Sequence, residues 1–154
     1  MRAAVLALAL PLLIPAQQFS LSLVTPPGQI RPGTTLQVTV SLSGTNGTNL
    51  AAWEAVMKSS ISGTWHAGAG PAAAIAAKQL YCNTVAYGFK CLEAGINQNV
   101  FTDGVVAIYL FDIPQNATPG GATLTFSGTM GASLAGAAIS LTGTSLDFTL
   151  KGRM

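Results

Sequence analysis

Charge is scarce in this sequence. Only 8% of its 154 residues are Asp, Glu, Lys or Arg, against roughly 25% in an average soluble domain. The basic residues are scattered, at Arg31, Lys58, Lys78, Lys90 and Lys151 among others, and never form a run. Electrostatic binding to nucleic acid needs clustered Lys and Arg, so that partner is excluded. Histidine occurs once, at His66, and cysteine twice. A structural zinc site wants about four closely spaced ligands, so no metal or other cofactor is expected. No glycine-rich stretch lies between a strand and a helix with the spacing of a phosphate cradle. The apolar run from Ala3 to Ile14 is too short for a membrane span of about 20 residues, and Pro11 interrupts it.

That run does carry another signal. Arg2, the apolar core, then Pro15 and Ala16 before the polar Gln17 and Gln18 make a basic start, a short apolar stretch and a small residue at its end. This is the pattern of an export signal, with cleavage expected after Ala16 and a mature domain over residues 17–154. An uncleaved N-terminal anchor is the alternative. In an exported chain the even pair Cys82 and Cys91 reads as a disulfide. A secreted or cell-surface location follows from the same two features.

Along the mature chain, apolar and polar residues alternate with period two, the strand signal. Phe19–Val24, Leu36–Leu42, Ala52–Lys58, Leu80–Asn83, Ala86–Ala94, Gly104–Asp112, Ala122–Gly128, Ala138–Thr142 and Ser145–Leu150 all read this way, with one short strand around Trp65. Gly104–Asp112 is almost continuously apolar, as in a strand buried on both faces. A hairpin is expected around Asn83 and Thr84, its arms tied by the cysteines. The alanine-rich stretch after Pro71 permits a single helical turn. About nine short strands with Gly- and Pro-rich turns predict an all-β fold, a sandwich of antiparallel sheets.

Four segments, in order, resemble the bacterial cohesin domain over roughly Phe19 to Leu150. They are Arg31-Pro-Gly-Thr-Thr-Leu-Gln-Val-Thr-Val40, Asn49-Leu-Ala-Ala-Trp-Glu-Ala-Val-Met57, Asp103-Gly-Val-Val-Ala-Ile-Tyr-Leu-Phe111 and Ala117-Thr-Pro-Gly120. The resemblance implies a jelly-roll β-sandwich, related in fold to some carbohydrate-binding modules, that holds a protein partner of the dockerin type. The chain departs from the family pattern where Met57-Lys-Ser-Ser-Ile-Ser62 replaces a Tyr-Asp-Pro-like step, and its five acids cluster on no strand. The cysteine pair is similar to that of solitary, exported cohesin-like proteins.

Catalysis is not expected. His66 as a general base would need a nucleophile and an orienting acid, and no turn geometry marks Ser59, Ser60 or Ser62. Glu54 and Glu93, on separate strands, read as outward residues rather than a glycosidase pair. Asp103 and Asp112 bracket one strand and serve its turns; a calcium site at Asp103 would need 6–8 oxygens from a loop that is not acidic. Trp53 and Tyr109 read as core. Three functional readings remain. The first is protein binding outside the cytoplasm, through the face carrying Glu54, Val56 and Lys58. The second is polysaccharide binding through Trp65, Tyr81 and Tyr87, whose rings fall in or beside loops. The third is a structural envelope or appendage subunit that self-associates through an unpaired edge strand.

Overall fold

A computed structural model of the chain describes residues 17–46 and 48–153; the expected export segment, residues 1–16, lies outside them. The alternating segments become ten strands. They are β1 (Gln17–Leu23), β2 (Thr35–Ser43), β3 (Leu50–Ser59), β4 (Thr64–Ala69), β5 (Gln79–Val85), β6 (Gly88–Ala94), β7 (Gly104–Asp112), β8 (Gly120–Ser133), β9 (Ala138–Gly143) and β10 (Leu146–Leu150). Between β4 and β5 stands one short helix, α1 (Pro71–Ile75). Pro71 sits in its first turn, where the missing N–H costs nothing, and the run ends after a single turn, as the alanine stretch predicted.

The strands follow one hydrogen-bonded path, β4-β7-β2-β1-β9-β8-β3-β6-β5, with β10 also paired to β8. The path folds over on itself into a jelly-roll sandwich. Phe19 of β1 meets Trp53 of β3 at 4.9 Å between ring centroids, and Tyr109 of β7 meets Phe89 of β6 at 5.9 Å, so aromatic pairs join the two layers through the core. One pairing is not antiparallel: β9 lies parallel to β1 while pairing antiparallel to β8, and so joins the two layers. The path ends at β4 and β5, whose neighbouring edges touch without ladder pairing. Each edge thereby shelters the other, which weakens the case for self-assembly through an open edge.

Alternation places the core as expected. Trp53, Ala55 and Met57 are buried from β3, and Leu36, Val38, Val40 and Leu42 from β2. Three expectations shift. The β5–β6 hairpin turns at Ala86–Tyr87, not at Asn83–Thr84. Strand β8 runs 14 residues, because its start pairs with β10 and its end with β9, so the connection between the expected strands Ala122–Gly128 and Ala138–Thr142 narrows to residues 134–137. And β7 is enclosed unevenly: Val106, Ala107, Tyr109 and Phe111 are buried, whereas Ile108 and Leu110, on the phase opposite Tyr109, are only partly buried.

Cys82 and Cys91 are bonded, and stand directly opposite in the β5–β6 register. The bond ties edge strand β5 to the sheet. A closed loop this short contributes on the order of 2–3 kcal/mol in the chain-entropy account.

Candidate functional site

Strand β3 sets the geometry of the outer face of the β5-β6-β3-β8 sheet. Its inward side chains are fixed by burial of Trp53, Ala55 and Met57, so Glu54, Val56 and Lys58 must point outward. Cross-strand register then builds a row. Glu54 stands opposite Leu92 of β6 and Met130 of β8, and Leu92 stands opposite Tyr81 of β5. With strands spaced by about 4.8 Å, the row Tyr81–Leu92–Glu54–Met130 spans roughly 14 Å. Its apolar members are open to solvent: Tyr81 is 58% exposed, Leu92 41% and Met130 53%. Ala52 and Ala132 are too small to fill the space beside Leu92 and Met130, which leaves a shallow depression of about 170 Å³.

Of the three residues expected on this face, Glu54 is half-exposed and pairs with Lys90 at 3.2 Å. Lys58 is exposed. Val56 is corrected: it points outward but is only 5% exposed. Lys90 and Ser127 flank it across the sheet, and Gly88 brings the hairpin turn against its side chain. It supports the face rather than contacting a partner. Sequence reasoning missed Leu92 and Met130 as members. The signal was present in β6, where Leu92 is the large apolar residue on the outward phase.

The aromatic set separates. Tyr81 belongs to the row just described. Tyr87, also 58% exposed, sits on the β5–β6 turn at the other end of the hairpin. Trp65 lies in the short strand expected around it, β4, but is half-buried rather than open, its ring stacked on Phe89 at 5.8 Å and tilted against Phe111 at 4.5 Å. The three rings form no common platform.

Beneath the row lies an acid. Glu93, read from sequence as outward, is fully buried. It shares a phase with Phe89 and Cys91, and it accepts a hydrogen bond from the Trp53 indole N–H at 2.7 Å. Its other oxygen and the Tyr109 hydroxyl lack protein partners. Burial pushes the Glu93 carboxyl up to about 8, partly offset by the indole bond. Burial raises Tyr109 as well, with the Glu93 charge adding to it.

The remaining polar residues serve structure. Asp103 accepts hydrogen bonds from the Thr45 backbone N–H at 3.0 Å and the Thr45 hydroxyl at 2.6 Å, which hold its carboxyl below the usual range. Asp112 accepts from Thr35 and contacts the exposed His66 ring at 3.1 Å. Lys78 is buried and donates to Asn97 at 2.9 Å. Among the described residues, no three His, Cys, Asp or Glu side chains converge. No described helix is long and apolar enough to cross a membrane.

Comparison of the whole architecture decides the fold. The sixth cohesin of scaffoldin B from Acetivibrio cellulolyticus, solved with a mutant Cel5 dockerin, superimposes with a TM-score of 0.69 over 88% of this chain and 99% of its own, at 20% identity. The chain has the cohesin fold. A non-cellulosomal cohesin from the archaeon Archaeoglobus fulgidus matches with a TM-score of 0.67 at 12% identity, over 88% of this chain and 91% of its own. The cohesin module of a Clostridium perfringens family 33 glycoside hydrolase matches at 0.68 and 11% identity, over 88% and 98%. No protein-family model matches the sequence, and neither does any curated protein. These structures share this chain's architecture at 11–20% identity, so the outer row is read from its own residues.

Proposed function

We propose that the protein is a non-catalytic binding module that works outside the cytoplasm and holds a dockerin-like protein partner on the outer face of β5-β6-β3-β8. The observation that carries this reading is the exposed row Tyr81–Leu92–Met130, aligned across four strands with Glu54 between Leu92 and Met130. Protein interfaces concentrate their energy in a few apolar and aromatic anchors ringed by polar groups. Here the anchors are three side chains, and the Glu54–Lys90 pair is the polar element between them. Ala52 and Ala132 leave a socket for one apolar side chain of the partner. Charge on the face is limited to the Glu54–Lys90 pair and the exposed Lys58, so it favours a partner whose contact surface is apolar and weakly charged. The cohesin fold supports the same reading, because the Acetivibrio cellulolyticus neighbour was solved with a dockerin bound.

The test is capture. Oxidised protein, immobilised, should retain one protein from the host's secreted and envelope fraction at a 1:1 ratio, and Leu92→Asp should release it. An empty capture with folded, oxidised bait would overturn the reading, and so would a partner that Leu92→Asp retains at full strength.

A further inference from the structure

A second concave site stands apart from the outer row, at the end of the sandwich where the β3–β4 connection faces the β5–β6 turn. It is a cleft of about 380 Å³, at the small end of the roughly 300–1,000 Å³ usual for ligand sites. Trp65 and Tyr87 both line it, with Lys58, Ser59, Ser62 and Thr84 supplying polar groups. No carboxylate lines it. We propose that this cleft binds a neutral oligosaccharide, as a function additional to partner binding.

The chemistry fits that class. Sugar rings offer an apolar C–H face to an aromatic ring and a rim of hydroxyls to short polar side chains. Trp65 and Tyr87 supply the rings, and Ser59, Ser62 and Thr84 the hydroxyls. A cationic ligand would meet only Lys58, which repels it. The absence of an acid pair also makes the cleft a binding site rather than a hydrolytic one.

The site is pre-formed, which lowers the entropic cost of binding. Trp65 is held by the near-parallel Phe89 ring, with 10° between planes. Both walls are pinned by glycines that a side chain would displace. A Cβ on Gly63 would lie 2.3 Å from the Phe111 ring, and one on Gly88 would lie 2.6 Å from the Met57 carbonyl oxygen. The β3–β4 loop and the hairpin turn can therefore sit this close to the sheets only with glycine at those positions.

Fluorescence isolates the site. The chain has two tryptophans, and Trp53 is enclosed in the core and bonded to Glu93. A change in emission caused by ligand therefore reports Trp65. Oxidised protein would be titrated with the neutral probes cellohexaose, xylohexaose and mannohexaose. A saturable change with at least one of them is expected. Tyr87→Ala, at an exposed turn position, should weaken it at least tenfold while leaving the melting temperature unchanged. Leu92→Asp should leave the titration unaltered, which separates this site from the protein-binding face. No saturable change with any probe up to roughly 5 mM, several times a Kd of about 1 mM, would overturn the proposal. So would a change that Tyr87→Ala leaves intact.

Discussion

Stability falls as pH rises from about 4.5 to 8, and Glu93→Gln removes most of that dependence. The Glu93 carboxyl is raised from its ordinary 4.5 to about 8 in the folded protein. Between those values the folded state keeps a proton that the unfolded chain has lost, so the unfolded state binds fewer protons and stability decreases with pH. The stabilisation is complete below the unfolded pKa and gone above the folded one. The limiting slope for one proton is about 1.4 kcal/mol per pH unit. Lowered Asp103 acts in the opposite sense, but below this window. The Trp53 indole from β3 donates to the carboxyl, and the carboxylate's charge raises the Tyr109 hydroxyl of β7. A glutamine keeps the acceptor for the indole and does not titrate. Urea midpoints at pH 5, 6, 7 and 8 should decline for the natural protein and stay level for Glu93→Gln. Parallel declines in the two proteins would refute the assignment. Glu93→Ala is the contrasting change: it leaves the Trp53 N–H unpaired in the core and should cost about 2–4 kcal/mol at pH 5, where the natural carboxyl holds its proton.

Leu92→Asp should lower affinity for the captured partner at least 100-fold while leaving the thermal midpoint close to that of the natural protein. Its side chain is 41% exposed at the centre of the outer row, so the folded protein loses little. The bound state would instead bury an unpaired carboxylate among apolar anchors, which is strongly unfavourable. Val56→Asp, one row away, should behave oppositely. Val56 is 5% exposed beneath the hairpin turn, so a charge there should unfold or strongly destabilise the domain. Affinity by calorimetry and melting by circular dichroism on the same samples separate the two effects. Equal losses of stability in both variants would show that Leu92 is a core residue, not an anchor.

What the sequence discloses depends on whether a feature lies on one strand or between several. Single-strand alternation is enough to find the strands, to place Trp53 and Tyr109 in the core, and to choose the correct side of β3 for the outer face. The bonded cysteines are legible from their even number. Glu93 does not, because burying a carboxyl is costly and an outward position is the default for a lone glutamate. What offsets the cost is an indole on the neighbouring strand, 40 residues away in sequence. Val56 illustrates the same limit from the other side. Its outward direction is local, but its burial comes from Lys90, Ser127 and the turn at Gly88, each on another strand. Met130 fell between the expected strands Ala122–Gly128 and Ala138–Thr142. Only the pairing of β8 with both β10 and β9 extends the strand through it. The separation of Trp65 and Tyr87 from Tyr81 likewise depends on where the hairpin turns.

The central claim is that a protein partner sits on the row Tyr81–Leu92–Met130, and methyl NMR of the methionines tests it most directly. Met130 is 53% exposed in that row, while Met57 is fully buried on the opposite side of the same sheet and serves as an internal reference. Titration with the captured partner should shift or broaden the Met130 methyl signal to saturation at a 1:1 ratio and leave Met57 nearly unmoved. A partner that binds to saturation while the Met130 signal stays in place would contradict the account.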